Sequence, residues 1–291
     1  MKLSINISRS YDVVIKSGLL DSVDKQLNEF NNGQLFILCF PSVLLQESAR
    51  LYNNLKNKHY NIKTLEIPDG EQGKTSDGIQ FILNNLVDLK CKRDTVLLSF
   101  GGGSVGDVIG FISSIYMRGI DYINIPTTLL SMVDSSIGGK TGINYAGTKN
   151  IVGTLHHPMK VCIDPQILKN LPINQMQSGI GEIIKYGFIA DGEILKQVSE
   201  NYSCIIQEKK EDLIIEIIFK CCMIKKQYIE ADENDLGDRH ILNFGHTLGH
   251  IIESKYQKSG ISHGEAIING MFLSIKLSHF KQIMSNEEYK K

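Results

Sequence analysis

Three histidines in the C-terminal third of the chain could bind a metal ion. His246 and His250 are four residues apart in His246-Thr-Leu-Gly-His250, and His263 follows in Ser262-His-Gly-Glu265. Because four residues make just over one helical turn, the first two imidazoles would point from the same face of one helix. Histidines that cap or hydrogen-bond a core helix can show the same spacing, and two histidines alone do not decide between these interpretations.

A carboxylate that could complete such a site is Glu182. It occurs with Lys185 in an otherwise apolar stretch, Ser178-Gly-Ile-Gly-Glu-Ile-Ile-Lys-Tyr-Gly187. A buried charge is costly unless it is paired or binds a metal ion. Glu182 is therefore predicted to have a partner.

A glycine cluster, Ser99-Phe-Gly-Gly-Gly-Ser-Val-Gly-Asp107, follows a strand-like run and precedes a helical one. Glycines there let backbone amides approach a phosphate, and the positive end of a helix favours the anion. The glycine spacing differs from the usual dinucleotide fingerprint, and a tight strand-to-helix turn is the alternative interpretation. We expect a nucleotide pyrophosphate at this turn.

A second glycine-containing segment runs from Ile125 to Asn150. It combines glycines with the polar residues Asp134, Lys140, Lys149 and Asn150, which predicts a loop bent close to a ligand. An ordinary solvated loop is the alternative. Three further cations, Lys185, Lys225 and Arg239, stand within or beside apolar helical segments. One such cation could be a surface residue with a packed stem, but several beside one candidate metal site favour a pocket for a polyanionic substrate.

The composition narrows the class of protein. The chain has 291 residues, 42% of them hydrophobic, and a formal net charge of -1. These values describe a globular protein without a charge that would attract nucleic acid or membranes. No apolar run reaches the roughly 20 residues that span a bilayer, and the N-terminus lacks a signal-peptide core, so we expect a cytoplasmic protein. The six cysteines show no metal spacing and are interpreted as reduced thiols.

The order of predicted elements indicates two domains. Short β-type runs alternate with helical stretches in the first half, the pattern of a mainly parallel α/β sheet, and only helical periodicity follows Pro165. We predict a nucleotide-binding α/β domain over 1–172 and an all-α metal- and substrate-binding domain over 173–291. The predicted helices include Leu19 to Phe30 and His240 to Glu253, and Leu3 to Ser8 with Val13 to Lys16 is predicted to form an antiparallel pair.

Together these motifs resemble the dehydroquinate synthases, within the sugar phosphate cyclases. The resemblance runs from Pro68-Asp-Gly-Glu-Gln-Gly-Lys-Thr75 to Leu277, and the sequence around His246 with His263 downstream is its most specific part. The family fold, a nucleotide-binding α/β domain followed by a helical metal domain, agrees with the predicted pattern. Metal-dependent polyol dehydrogenases are more distant relatives of the group.

The resemblance implies a set of ligands, residue by residue. Zn²⁺, or Co²⁺, would be bound by Glu182, His246 and His263. NAD would contact Glu71, Lys74, Gly102, Gly103, Asp107, Thr127, Thr128 and Lys149. The substrate would contact Asp134, Lys140, Asn150, Lys185, Lys225, Arg239, Asn243 and His250, and Arg118 would reach its phosphate across a homodimer interface. His250 is then a substrate residue, although its spacing from His246 would also suit a metal ligand.

The reaction that the resemblance implies belongs to the shikimate pathway. It converts 3-deoxy-D-arabino-heptulosonate 7-phosphate into 3-dehydroquinate and phosphate, by transient oxidation with NAD, phosphate elimination, reduction and intramolecular aldol closure. NAD would act without net redox change. The alternatives are another sugar phosphate cyclase, a metal-dependent polyol dehydrogenase, and a truncated inactive form.

Two departures from the family pattern affect these expectations. Phe40 and Ser42 stand where family members carry an acidic residue and an asparagine that hold the adenosine ribose, so we expect weaker NAD binding. The family's Asp-Lys-Lys motif and later helices are absent after Leu277, so the second domain is expected to be short at its C-terminal end. The expected consequences are low activity and an exposed apolar face over Ile267 to Leu277.

Overall fold

The chain forms two compact units, Met1–Lys169 and Asn170–Lys291. The computed structural model describes residues 1–256 and 260–290. The first unit is an α/β fold and the described part of the second is helical, which confirms the predicted fold class. No helix among these residues is both long and apolar enough to cross a membrane.

The first unit is built on a seven-stranded sheet with the order β1-β2-β9-β6-β5-β3-β4. Its strands are β1 (Lys2–Ile5), β2 (Tyr11–Ile15), β3 (Phe36–Pro41), β4 (Ile62–Ile67), β5 (Val96–Gly101), β6 (Asp121–Pro126) and β9 (Lys160–Ile163). Only β1 and β2 pair antiparallel, and the remaining neighbours pair parallel. Strands β3, β5 and β9 are buried along their whole length, which explains their continuous apolar sequences.

Helices cover both faces of this sheet. They are α1 (Asp24–Leu27), α2 (Leu45–Asn57), α3 (Ser76–Asp88) and α4 (Gly103–Ile115). On one face, side chains of α3 and α4 pack with alternate residues of β3 and β5, among them Ile37 and Leu97. On the other face, α2 packs with the intervening residues Leu38 and Leu98. The sheet is thus the middle of three layers, an arrangement that leaves the strand ends and their loops to bind ligands.

The second unit contains α5 (Ile173–Ile189), α6 (Gly192–Ile206), α7 (Glu211–Ala231), α8 (His246–Tyr256), α9 (His263–Phe280) and α10 (Asn286–Lys290). The predicted apolar face on α9 is partly correct. Phe272, Leu273 and Leu277 are exposed, but Ile267 is fully buried, because it packs against α8 at Gly249.

Three local predictions were wrong. The helix expected over Leu19 to Phe30 is a series of short helical turns. The helix expected over His240 to Glu253 forms as α8 only from His246, and its expected start is a 3₁₀ turn that ends before Gly245, where φ is +81°. The polar segment before Asn150 contains a hairpin, β7 (Lys140–Tyr145) and β8 (Thr148–Leu155). Its turn, Ala146 and Gly147, has positive φ at both residues, as a tight two-residue hairpin requires.

Candidate metal centre and nucleotide-binding elements

Glu182, His246 and His263 converge in the helical unit, with one ligand atom of each within 4.8 Å of the others. The Oε1 atom of Glu182 lies 3.3 Å from His246 Nε2 and 3.2 Å from His263 Nε2. Two ligands about 2.1 Å from a tetrahedral zinc ion are separated by roughly 3.4 Å. The spacing therefore fits a divalent cation bound by one carboxylate and two imidazoles.

Glycines let α5 and α9 approach each other closely. A Cβ atom on Gly181 would lie 2.4 Å from Gly264 Cα, and one on Gly264 would lie 2.2 Å from the carbonyl oxygen of Ser178. These glycines directly precede Glu182 and directly follow His263. Any larger residue at either position would separate the helices that carry these two candidate ligands.

Helices α8 and α9 pack in the same way. A Cβ atom on Gly270 would lie 2.1 Å from the carbonyl oxygen of Gly245 and 2.6 Å from the backbone nitrogen of Gly249. His246 follows Gly245 and is the first residue of α8. His263 is likewise the first residue of α9, which begins at a capping box formed by Ser262 and Glu265. Glycine packing and a helix cap thus fix the two imidazoles.

Hydrogen bonds orient both imidazole rings. His246 Nδ1 lies 3.3 Å from the carbonyl oxygen of Phe244, and His263 Nδ1 lies 3.5 Å from Glu253 Oε2. An acceptor at Nδ1 favours a hydrogen on that atom and leaves Nε2 as the metal-binding atom. In both rings Nε2 is the atom that faces Glu182.

The charges at the site are strongly coupled. Burial alone would raise the pKa of Glu182, but the ammonium of Lys185, which forms an ion pair with Oε2, and the two imidazoles hold this pKa well below its ordinary value. Burial alone would lower the pKa of His263, but its bonds to Glu182 and Glu253 raise it to about 9. In the absence of metal, the imidazole of His263 is therefore positively charged at neutral pH.

A second group of possible ligands overlaps the first. His250, Glu253 and His263 each offer an atom within 4.8 Å of the others, and His250 is exposed. The ring centroids of His246 and His250 are 5.4 Å apart. His250 therefore lies beside the candidate metal ligands, while Glu182 belongs to the first group alone.

The other candidate substrate residues of the helical unit differ in exposure. Lys225 on α7 and Arg239 in the 3₁₀ turn before α8 are buried, whereas Asn243 is exposed. An Arg239 guanidinium nitrogen donates to the carbonyl oxygen of Glu233 at 2.8 Å. The carboxylate of Asp232 accepts bonds from the backbone nitrogens of Leu236, Gly237 and Arg239 at 2.7–3.2 Å. Asp232 thereby fixes the turn that carries Arg239.

In the α/β unit, the glycine turn lies where the strand order reverses. From β3 the chain crosses outward to β4 and then returns to β5 on the other side of β3. Ligands of open α/β sheets bind at the carboxyl ends of strands at such a point. Gly102 and Gly103 follow β5, and Thr127 and Thr128 follow its neighbour β6, where the backbone nitrogen of Thr127 donates to Gly101 at 2.9 Å. Four of the predicted NAD contacts thus occupy adjacent strand ends.

Hydrogen bonds connect Glu71, Lys74, Asp107 and Asn150, a group we call the polar cluster. The ammonium of Lys74 is buried and donates to Asp107 Oδ2 at 2.7 Å and to Asn150 Oδ1. Glu71 accepts from Ser104 on α4 at 2.8 Å and from Asn144 at 2.7 Å. Three predicted cofactor contacts and one predicted substrate contact therefore form one connected group.

The remaining predicted residues lie elsewhere on the α/β unit. Asp134 belongs to a π-helical turn, Ser131–Ser135, while Lys140 and Lys149 are exposed on the hairpin. Arg118 is exposed on a turn where its φ is +67°. Phe40 lies near the carboxyl end of β3, but its side chain packs into the core, and Ser42 donates to Asp69 Oδ2 at 2.5 Å.

The prediction from sequence missed Asn144, Asp232 and Glu253. Each is a polar residue that contacts a predicted site residue. Asn144 and Glu253 lie in segments that the sequence analysis had singled out. No sequence pattern, however, predicts which residues they bond to.

Comparison with known proteins gives a consistent result. The chain matches the model of the 3-dehydroquinate synthase N-terminal domain over residues 64–178 and that of its C-terminal domain over 179–291. It is 42% identical to the 3-dehydroquinate synthase of Clostridium tetani, over 95% of this chain and 74% of that protein.

Solved structures agree with these matches. A 2-deoxy-scyllo-inosose synthase complexed with carbaglucose-6-phosphate, NAD⁺ and Co²⁺ superposes with a TM-score of 0.84 at 25% identity, covering 100% of this chain and 78% of that one. The 2-epi-5-epi-valiolone synthase of Streptomyces hygroscopicus, with NAD⁺ and Zn²⁺ bound, has a TM-score of 0.87 at 24% identity, covering 99% and 80%. The fold is thus that of the sugar phosphate cyclases, and the sequence matches show that the chain belongs to the 3-dehydroquinate synthase family.

Proposed function

We propose that this chain converts 3-deoxy-D-arabino-heptulosonate 7-phosphate into 3-dehydroquinate and phosphate, with NAD and one divalent metal ion. The observation that carries the proposal is the convergence of Glu182, His246 and His263 in a chain that belongs to this family. The net reaction is a carbon–oxygen bond cleavage with ring closure, a lyase reaction without net redox change.

Glu182, His246 and His263 would hold Zn²⁺ or Co²⁺. When bound, the ion supplies Lewis-acid polarisation of a substrate hydroxyl and lowers its pKa. Three protein ligands leave coordination positions open for substrate, as in catalytic zinc sites. Lys185 binds Oε2 of Glu182, so that Oε1, which faces both imidazoles, is the oxygen directed at the metal.

NAD is assigned to the α/β unit. The turn of Gly102 and Gly103 begins α4, where backbone amides and the helix dipole suit a pyrophosphate. The other proposed NAD contacts are Glu71, Lys74, Asp107, Thr127, Thr128 and Lys149. Bound there, NAD would supply reversible hydride transfer with a substrate carbinol. Phe40 is a core residue, so the ribose hydroxyls must find partners other than a side chain at that position.

The substrate carries a carboxylate and a phosphate, and the proposed contacts are rich in cations to match. They are Lys140, Lys185, Lys225, Arg239 and Arg118, with the polar residues Asp134, Asn150, Asn243 and His250. Buried cations such as Lys225 and Arg239 interact with an anion more strongly than exposed ones, because water screens them less. Their chemistry favours a doubly anionic sugar over a neutral polyol.

A homodimer is also part of the proposal. Strand β8 pairs with β7 along one edge, and its residues Ile151, Val152 and Leu155 are exposed. An exposed apolar edge strand tends to pair with another chain. Size-exclusion chromatography with light scattering should give a dimer for the wild type and a monomer for Ile151→Lys. The cytoplasmic location stays a prediction from sequence.

The test of the proposed function is phosphate release from the heptulosonate phosphate with NAD and Zn²⁺, while absorbance at the NADH wavelength is followed. We expect stoichiometric phosphate and 3-dehydroquinate with no accumulation of NADH. Accumulated NADH would indicate a polyol dehydrogenase, and phosphate with a different carbocycle would indicate another cyclase. A chain that binds both cofactors but releases no phosphate would correspond to the inactive alternative.

A further inference from the structure

Asn144 lies at an irregularity in the pairing of the β7–β8 hairpin. Ile143 lies opposite Val152, but the next pair is Tyr145 with Thr148, so Asn144 on β7 faces residues 149–151 on β8, and the two extra residues belong to β8. Such an irregularity frees a residue from the ladder and directs its polar groups elsewhere. The backbone nitrogen of Asn144 donates to the carbonyl oxygen of Lys74 at 2.9 Å. The hairpin is thereby attached to the segment that carries Glu71 and Lys74.

The side chain of Asn144 makes two further bonds with opposite polarity. Its Nδ2 atom donates to Glu71 Oε2 at 2.7 Å, and its Oδ1 atom accepts from the backbone nitrogen of Asn150 at 3.0 Å. An amide side chain carries both a donor and an acceptor, whereas a carboxylate only accepts. Aspartate has the same length but would place a negative charge against Glu71, so the amide is required here.

Both partners of Asn144 need an external constraint. Asn150 has a φ of +54°, a left-handed conformation that asparagine tolerates better than most residues but does not prefer. In this conformation its side chain reaches Lys74. Burial raises the pKa of Glu71, but the bond from Asn144 and the charge of Lys74 hold that pKa below its ordinary value. Asn144 thus holds Asn150 in place and favours the ionised form of Glu71.

We propose that Asn144 is a positioning residue that links the nucleotide and substrate contacts of the α/β unit, by orienting Glu71 and Lys74 towards NAD and Asn150 towards the sugar phosphate. This inference rests on the proposed function, which supplies the roles of Glu71, Lys74 and Asn150.

A purely structural role in the hairpin is a poorer explanation. The hairpin has its own two-residue turn at Ala146 and Gly147, and the positive φ angles of both residues match the twist of the strands. Its strands are also joined by a bond of 2.9 Å between the hydroxyls of Thr141 and Thr154. Removing the Asn144 side chain leaves these features intact, so ligand binding should change far more than folding.

The test compares Asn144→Ala, Asn144→Asp and the control Asn85→Ala. Like Asn144, Asn85 donates from its side-chain amide, in this case to the carbonyl oxygen of Phe81 on the exposed side of α3. The measurements are NAD affinity by calorimetry, the KM for the heptulosonate phosphate, kcat and the melting temperature. For Asn144→Ala we expect NAD affinity to fall by about tenfold or more and the KM to rise by a similar factor. The melting temperature should stay close to that of the control.

Asn144→Asp separates the two bonds. It keeps an acceptor for Asn150 but repels Glu71, so NAD affinity should fall about as far as in Asn144→Ala, while the KM should rise less. In Asn144→Ala/Glu71→Gln, the losses in NAD affinity should be less than additive if Asn144 acts through Glu71.

The outcomes distinguish this inference from the proposed function. If the wild type binds NAD and releases phosphate but Asn144→Ala behaves like Asn85→Ala, the inference is overturned and the function stands. Equal effects of Asn144→Ala and Asn144→Asp on the KM, with a common fall in melting temperature, would show a structural role and overturn it too. A wild type that neither binds NAD nor releases phosphate would overturn both.

Discussion

The metal cluster of the helical unit and the polar cluster of the α/β unit are held together by different forces. Glu182, His246 and His263 come from three helices that meet through glycine-to-backbone contacts. The polar cluster instead joins a loop, α4 and a hairpin through side-chain hydrogen bonds. The first arrangement should be sensitive to one added methyl group. The second should tolerate changes of size better than changes of hydrogen bonding.

The largest expected effect is that of Gly264→Ala. Its new methyl group would lie 2.2 Å from the carbonyl oxygen of Ser178, so α9 must move and carry His263 away from Glu182. We expect zinc affinity to fall about a hundredfold, at the upper end for changes around a metal site, and stability to fall by about 1–3 kcal/mol. Metal analysis after dialysis and thermal unfolding measure the two effects.

Gly192→Ala is the matched control. Gly192 is the first residue of α6, and a Cβ atom there would meet nothing within 4 Å. The Gly192→Ala variant should retain one equivalent of zinc per chain. If Gly264→Ala retained as much zinc as Gly192→Ala, the metal site would not depend on close helix packing.

The pH dependence of zinc binding should give an intermediate effect. Zinc binds neutral imidazole, and His263 in the metal-free protein has a pKa of about 9, raised by Glu182 and Glu253 despite burial. Zinc must therefore displace a proton below pH 9, and its affinity should fall about tenfold for each pH unit down to the ordinary histidine pKa. Calorimetry at pH 7.5 in two buffers of different ionisation enthalpy should show release of about one proton.

The raised pKa of His263 also makes the stability of the metal-free protein depend on pH. Because the folded-state pKa is raised, protonated His263 stabilises the fold fully below about pH 6.5, and this contribution is lost as the pH rises to about 9. Chemical unfolding of the metal-free protein should become easier over this range. In His263→Gln this loss should disappear, whereas an unchanged pH profile would contradict the assignment.

The smallest expected effect is that of Ser104→Ala, which removes a donor to the polar cluster. It removes the bond of 2.8 Å to Glu71 but leaves the bond from Asn144. Since Glu71 keeps one of its two donors, we expect NAD affinity to fall by only about three- to tenfold. Calorimetric titration with NAD checks this, with Ser199→Ala on α6 as the control. A loss of about a hundredfold, as expected for zinc in Gly264→Ala, would show that the polar cluster is as intolerant as the glycine contacts of the metal cluster.

The sequence was sufficient to predict the fold class and, with the resemblance to a family, to single out Glu182, His246 and His263, which lie close together in the structure, because these signals are local. Helical spacing, an isolated acid in an apolar stretch and a glycine turn after a strand can each be recognised within a few residues. Asn144 could not be predicted, since its partner Glu71 is 73 residues away. The glycines beside Glu182 and His263 were visible, but the contact between Gly181 and Gly264 depends on how two distant helices pack.

Local patterns also misled where tertiary structure decides. Apolar spacing over Leu19 to Phe30 indicated one helix, but the segment forms short turns whose apolar residues pack into the sheet core. Glycines and lysines before Asn150 indicated a loop, yet β7 and β8 accommodate them because Gly142 and Gly153 lie directly opposite each other in the hairpin.

The most direct test of the metal centre is an anomalous difference map, at the zinc absorption edge, from a crystal of the zinc-loaded protein. We predict one ion in the helical unit, about 2.0–2.2 Å from Glu182 Oε1, His246 Nε2 and His263 Nε2. An ion bound instead by His250, Glu253 and His263, a second group of possible ligands among residues 1–256 and 260–290, would contradict this account.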